Sequence, residues 1–185
     1  MTNDPILGVV RETFGRVVYT HKTHEKDREF ATRRATRLKR TNVVLIALTS
    51  GGLVATAIVG ETGYLWISAI LATLSLGFSV FELNTDPSEE AARHRAAAKS
   101  LLVIRERFTH LIADICTGLP TDEARARRDS IQADLDEIYH QAPDTSRRAY
   151  KAASQALKVN EEMTFTDEEL DRFLPAQLRM RAQRY

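Results

Sequence analysis

Two groups of residues have types and spacing that could do chemistry. His21 and His24, followed by Glu25, fall on one helical face and could offer two imidazoles and a carboxylate to a metal, as in helical-bundle sites. A matching set is missing, because His94, His110 and His140 have no partner at metal spacing. Solvated or packing histidines are therefore expected, and no metal. The second group is hydroxylated. Ser68, Ala72, Ser75, Ser79 and Glu82 share one helical face, and Asn42, Thr49 and Thr56 recur every seven residues. Several copies of such a stripe, ending in a carboxylate, can line a water path through an apolar medium. In the plainer alternative, each hydroxyl bonds back to its own helix and Glu82 marks an edge. The arginines Arg125, Arg127 and Arg128 read as a solvated face that could also meet a phosphate-bearing ligand. No glycine-rich phosphate loop, nucleophile elbow or zinc spacing occurs, so neither an enzyme nor a cofactor is expected.

The elements that position these residues are set by an uneven distribution of charge. The chain has 185 residues, 28% of them charged, with a net charge of +1. Its mean hydropathy of −0.29 is that of an ordinary soluble protein. Yet residues 41–60 carry no charge, nor do residues 62–81. Each run makes a helix about 30 Å long, the thickness of a bilayer's hydrocarbon core. Gly60, Glu61, Thr62 and Gly63 form the turn between spans 42–59 and 64–83, with Glu61 at a wet hairpin tip. A soluble bundle with a buried apolar centre is the alternative, but a small bundle rarely keeps a helix uncharged all round for so long. Tyr64 and Trp66 suit an interface, where aromatic anchors belong. Ala47, Gly51 and Ala55 form one small-residue ridge, and Ala69, Thr73 and Gly77 another. These ridges pack the hairpin on itself or join neighbouring subunits.

The flanks give orientation and partners. The twenty residues before the first run hold eight Lys or Arg, against three in the twenty residues after the second, so both termini are expected in the cytoplasm. Arg33, Arg34, Arg37, Lys39 and Arg40 are expected to hold anionic lipid headgroups at about 1 kcal/mol each. A nucleic-acid role is the weaker reading, since these residues abut a span and acids are mixed among them. A cytoplasmic leader helix occupies 1–40, with Asp4 as N-cap and Pro5 as first helical residue. Leu7, Val10, Phe14, Val17, His21, His24, Arg28, Ala31, Ala35 and Leu38 form its heptad seam, whose polar middle suggests a wet partner. Gly8 and Gly15 are its weak points. The apolar start of a signal peptide is lacking, so none is expected.

A second heptad helix fills 84–118. Asp86, Pro87 and Glu89 begin it, and Gly118 and Pro120 end it. Ala97, Leu101, Ile104, Phe108, Leu111 and Ile115 form a stripe that needs a helical partner, the leader helix being the natural one. The C-terminal region, 119–185, carries helices over about 122–141 and 146–159 and a last one begun by the pair Thr166 and Glu169. The single cysteine, Cys116, fits a reducing compartment. The expected fold is an all-α membrane protein: a transmembrane hairpin between an amphipathic N-terminal helix and a cytoplasmic helical region.

The stretches RETFGRVVYTHKTHEKDREFATRRATRLKR, leading straight into the hairpin, and DLDEIYHQAPDTSRRAY carry a resemblance. Together with the architecture they resemble the SLATT proteins, two-transmembrane effectors associated with SMODS nucleotidyltransferases and SLOG domains in bacterial conflict systems. The resemblance spans nearly the whole chain. It implies a homo-oligomeric inner-membrane effector that breaches the membrane when a separate nucleotide-signal synthase or sensor protein reports infection. The rival is a non-conducting anchor that recruits a soluble partner.

Overall fold

With no proline between Pro5 and Pro87, nothing in the sequence forces the first helix to break before the glycine-rich turn. In the computed structural model, which describes residues 5–173 and 175, α1 (Pro5–Val59) is a single 55-residue helix. It carries the leader and the first candidate span without interruption, and is about 80 Å long. Gly8 and Gly15, the expected weak points, stay helical. The expected cap Asp4 lies outside the described residues.

The turn is tighter than the four residues expected. Gly60, at φ 74°, and Glu61 alone lie between α1 and α2 (Thr62–Thr85), while Thr62 and Gly63 are already helical. A left-handed residue ends α1, and glycine adopts that conformation without the Cβ penalty. The second helix also runs past the expected end at residue 83. Only Asp86 separates it from α3 (Pro87–Cys116). Its carboxylate accepts hydrogen bonds from the amides of Ser88 at 3.2 Å and Glu89 at 3.0 Å. The reciprocal bond expected of Glu89 is absent, because that side chain pairs with Arg93 at 2.8 Å, one turn on.

α1 therefore packs antiparallel along α2 and then α3 as one long pair. Between His24 and Gly52 α1 advances twenty-eight residues. Their partners, His94 and Ser68, lie twenty-six apart, so the register holds from bundle to hairpin. The core is a three-helix one. Ile6, Val10 and Val17 of α1 meet Leu101, Ile104, Phe108 and Leu111 of α3, with Ala124, Ile131 and Leu135 of α4 (Thr121–Gln141) closing the third side. Phe14 and Ile115 are partly buried against it. α5 (Arg147–Lys158) lies on α1 through Ala149, Ala153 and Ala156, whose small side chains let it approach closely. α6 (Asp167–Phe173) starts with the expected reciprocal cap between Thr166 and Glu169. Among the described residues there is no strand.

The leader's seam is displaced from the heptad reading. Ile6, not Leu7, enters the core, Thr13 is buried beside Phe14, and Asp27 replaces Arg28 on the buried face. Apart from Lys22 and Thr23, which widen the buried face at its middle, the buried positions from Ile6 to Ala35 step by about 3.6 residues on average, the period of a straight helix. A heptad rule drifts from that by about 20° per repeat. Both seams are spent within one chain: Leu101 and Phe108 are fully covered without any second copy.

Candidate functional site

Along the hairpin, the hydroxylated stripes face each other. Asn42 donates its side-chain amide to Ser79 Oγ at 3.3 Å and accepts from Ser75 Oγ at 3.2 Å. Ser79 passes its own proton to the carbonyl of Ser75 at 2.9 Å. Thr49, Thr56 and Ser68 bond back to the carbonyls of Leu45, Gly52 and Tyr64. Ser68 is buried, Thr49, Thr56, Ser75, Ser79 and Glu82 are half-buried, and Ala72 is exposed. Each interhelical polar bond of this kind contributes roughly 0.6 kcal/mol in a bilayer.

The two helices come close together at Gly52. A Cβ there would run into Ser68 Oγ, whereas one at Gly51 meets nothing. Within the hairpin the packing glycine is therefore Gly52 and not Gly51. The signal was present: Gly52 shares a face with Thr49 and Thr56, and Gly51 does not. Ala47, Gly51, Ala69, Thr73 and Gly77 lie on the outer surface with Ala55 at its margin, so these ridges do not close the hairpin on itself. Around them the outer face is apolar, with Ile58 78% and Trp66 71% exposed. Both helices are long and apolar enough to cross a membrane. At the tip, Glu61 is exposed and makes no side-chain cap.

Below the hairpin the polar middle of α1, expected to be wet, is buried and paired. His24 and His94 meet through their Nδ1 atoms at 2.9 Å, so one imidazole donates and the other accepts. His94 had no partner in the sequence reading, yet it sits one heptad before Leu101 on the same stripe. His21 Nδ1 lies 2.9 Å from the carbonyl oxygen of Ala98. Asp27 accepts both the hydroxyl proton of Ser146, at 2.6 Å, and its backbone N–H, at 2.9 Å. Ser146 in turn accepts from the amide of Ala149 as the cap of α5. The two quoted stretches therefore meet here, 119 residues apart in sequence. Lys22, also buried, is clasped by Glu25 at 2.9 Å and Glu162 at 2.7 Å. Among the described residues, no three His, Cys, Asp or Glu side chains converge on a metal position.

The charges follow from these contacts. Burial lowers the His24 pKa to about 4, helped by His94 and His21 and opposed by Asp27. Burial also acts to deprotonate Lys22, but its hydrogen bonds to Glu162 and Glu25 prevail and raise its pKa. Glu25 resists the upward pull of burial and is lowered by Lys22, whose hydrogen bond lowers Glu162 as well.

A two-helix apolar hairpin rooted in a helical bundle fits a two-transmembrane design. Residues 6–169 match the SMODS and SLOG-associating 2TM effector domain family 4. The chain belongs to this family. No curated protein and no solved structure matches it. As a SLATT chain it is a two-transmembrane effector domain, and α1 and α2 supply its two candidate spans. The basic flank Arg33, Arg34, Arg37, Lys39 and Arg40 is exposed directly below the first span, and among the described residues only Arg33 of these is in an ion pair, to Glu29. Arg127 and Arg128, part of the other arginine cluster, pair with Asp114, Glu123 and Asp129.

Proposed function

We propose that this chain is a bacterial conflict-system effector that assembles as a homo-oligomer in the inner membrane and opens a pore or disrupts the bilayer when triggered. Both termini lie in the cytoplasm, as the basic flank of the first span argues. The observation that carries the reading is the outer face of the hairpin. It is apolar and bears the exposed ridges Ala47–Gly51 and Ala69–Thr73–Gly77, surfaces on which neighbouring hairpins can approach closely. Since the heptad seams are filled within the subunit, the hairpins rather than a coiled-coil stalk set the number of copies. The half-buried seam of Asn42, Ser75 and Ser79 is the polar line that lumen water would reach. The trigger comes from a separate protein that makes or senses a nucleotide signal. No catalytic step is assigned to the chain.

Dye release from liposomes containing the purified oligomer tests the reading. The wild type should leak once triggered, and Ser75→Leu with Ser79→Leu should slow the leak severalfold. Liposomes that stay tight with the co-expressed partner present would remove the pore. The internal bonding of Asn42, Ser75 and Ser79 favours a second reading, a non-conducting anchor that recruits a soluble partner. Planar-bilayer recording separates the two, since only the effector conducts.

A further inference from the structure

Where the hairpin joins the bundle, the basic flank forms part of a built cleft. A cavity of about 570 Å³ opens between α1, the cytoplasmic end of α2, the start of α3 and the start of α5. Arg34 and Arg37, three residues apart on α1, line one wall, and Arg148 of α5 lines another. None of the three has a carboxylate partner among the described residues, whereas Arg33, on the same rim, is taken by Glu29. The carboxylates of the cleft do not neutralise them. Asp27 is already engaged by both donors of Ser146, which leaves Glu90 alone against three free guanidinium groups.

Arg148 is also oriented. Its guanidinium lies over the ring of Phe30, 4.0 Å from the centroid. A guanidinium held over a ring still has N–H donors to offer a bidentate acceptor. The start of α5 adds the partial positive charge of a helix N-terminus. Phe30, Phe78 and Leu38 supply apolar wall beside these cations. Planar forks converging from two helices suit the oxygens of a phosphate better than a single carboxylate.

We propose that this cleft binds a phosphate-bearing anion, either a phospholipid headgroup or a soluble phosphate ester, through Arg34, Arg37 and Arg148. The proposal rests on the membrane reading only in placing the cleft at the cytoplasmic face. Binding bridges α5 to the root of the hairpin, so it couples the C-terminal helices to the spans. This deepens the effector reading by giving its cytoplasmic side a ligand.

The full chain in detergent is titrated with inorganic pyrophosphate by calorimetry. Its bound lipids are counted by native mass spectrometry after addition of phosphatidylglycerol or phosphatidylcholine. Pyrophosphate binding assigns a soluble ester, and selective retention of phosphatidylglycerol assigns a lipid. Whichever probe binds should weaken at least tenfold with Arg148→Gln, and Arg148→Lys should restore only part of it. Arg95→Gln with Lys99→Gln, exposed on α3 and outside both the cleft and the basic flank, should stay within twofold of wild type. The cleft is refuted if neither probe binds, if Arg148→Gln binds as wild type does, or if the Arg95 and Lys99 control loses as much. Should Arg148→Gln fail to fold by circular dichroism, Arg37→Gln carries the same test. Dye release is scored separately: a chain that binds but does not leak loses the pore and keeps the cleft, and the converse result does the reverse.

Discussion

The two halves of α1 are the same unbroken helix arranged by opposite rules. From Pro5 to Ala35 it buries Ile6, Val10 and Val17 together with His21, Lys22, Thr23, His24 and Asp27, and leaves the rest of its charge outside. From Thr41 to Val59 it exposes Val43, Leu48 and Ile58 and turns Asn42, Thr49, Gly52 and Thr56 towards its partner. The partner helices and the register are continuous, so geometry does not cause the switch. The surroundings do. In water, apolar area is removed from solvent, at about 25 cal/mol per Å². In a bilayer the outside is already apolar, and small or hydroxylated residues mediate helix contact instead. Buried polar side chains persist in the first half where they are paired, and the Tyr19 hydroxyl, buried without a hydrogen-bond partner among the described residues, is the exception.

That contrast can be broken by mutation. The largest expected effect is Phe108→Ala, which opens a cavity in the three-helix core and should cost about 3–5 kcal/mol in detergent-solubilised protein. Ile70→Ala, on the outer face of the hairpin, should stay within about 0.5 kcal/mol. Comparable losses in thermal melts would mean that the outer face is packed and the contrast false. Next is Asp27→Ala, which strips both acceptors from Ser146 and should cost about 1.5–3 kcal/mol. Hydrogen exchange should then rise along α5 before it rises in α3. Uniform exchange would show that the alanines of α5, not Asp27, hold it in place.

Within the hairpin, Gly52→Val should destabilise by roughly 1–3 kcal/mol through overpacking against Ser68, while Gly51→Val, which meets nothing and has the better helix propensity, should not destabilise. Equal effects on hairpin compactness, read by spin-label distances between the spans, would undo the assigned close approach. The smallest effect sharpens the polar side. His24 is held at about 4 against an ordinary 6.5, so between those values the unfolded chain binds a proton that the folded chain refuses. Stability should be full above about pH 6.5 and decline as pH falls towards 4. Replacing His24 and His94 together by Leu should flatten melting temperature across that window. Below about 4.5 the lowered Glu25 and Glu162 add a second loss in both proteins. An unchanged slope in the double variant would place the titration elsewhere.

The elements were legible because each rests on local chemistry. Charge-free runs of twenty residues mark spans whatever lies around them, and Asp86–Pro87 and Thr166–Glu169 announce helix starts within four residues. The α3 stripe was equally plain, since leucine, isoleucine and phenylalanine at helical spacing have one use in water. The site was less so. Asn42, Ser75 and Ser79 could be picked out as polar residues in an apolar run, but whether they faced a lumen or each other depended on a partner helix that the sequence does not place.

The sequence by itself determined the helical hairpin and its flanking amphipathic helices, because composition and short-range spacing are enough for these. Tertiary structure alone decided that His24 meets His94, that Asp27 caps onto Ser146 and that Gly52 rather than Gly51 lies against Ser68. Each is a contact between residues distant in the chain. A one-residue rotation around a helix, about 100°, is invisible to composition yet decides which atoms touch.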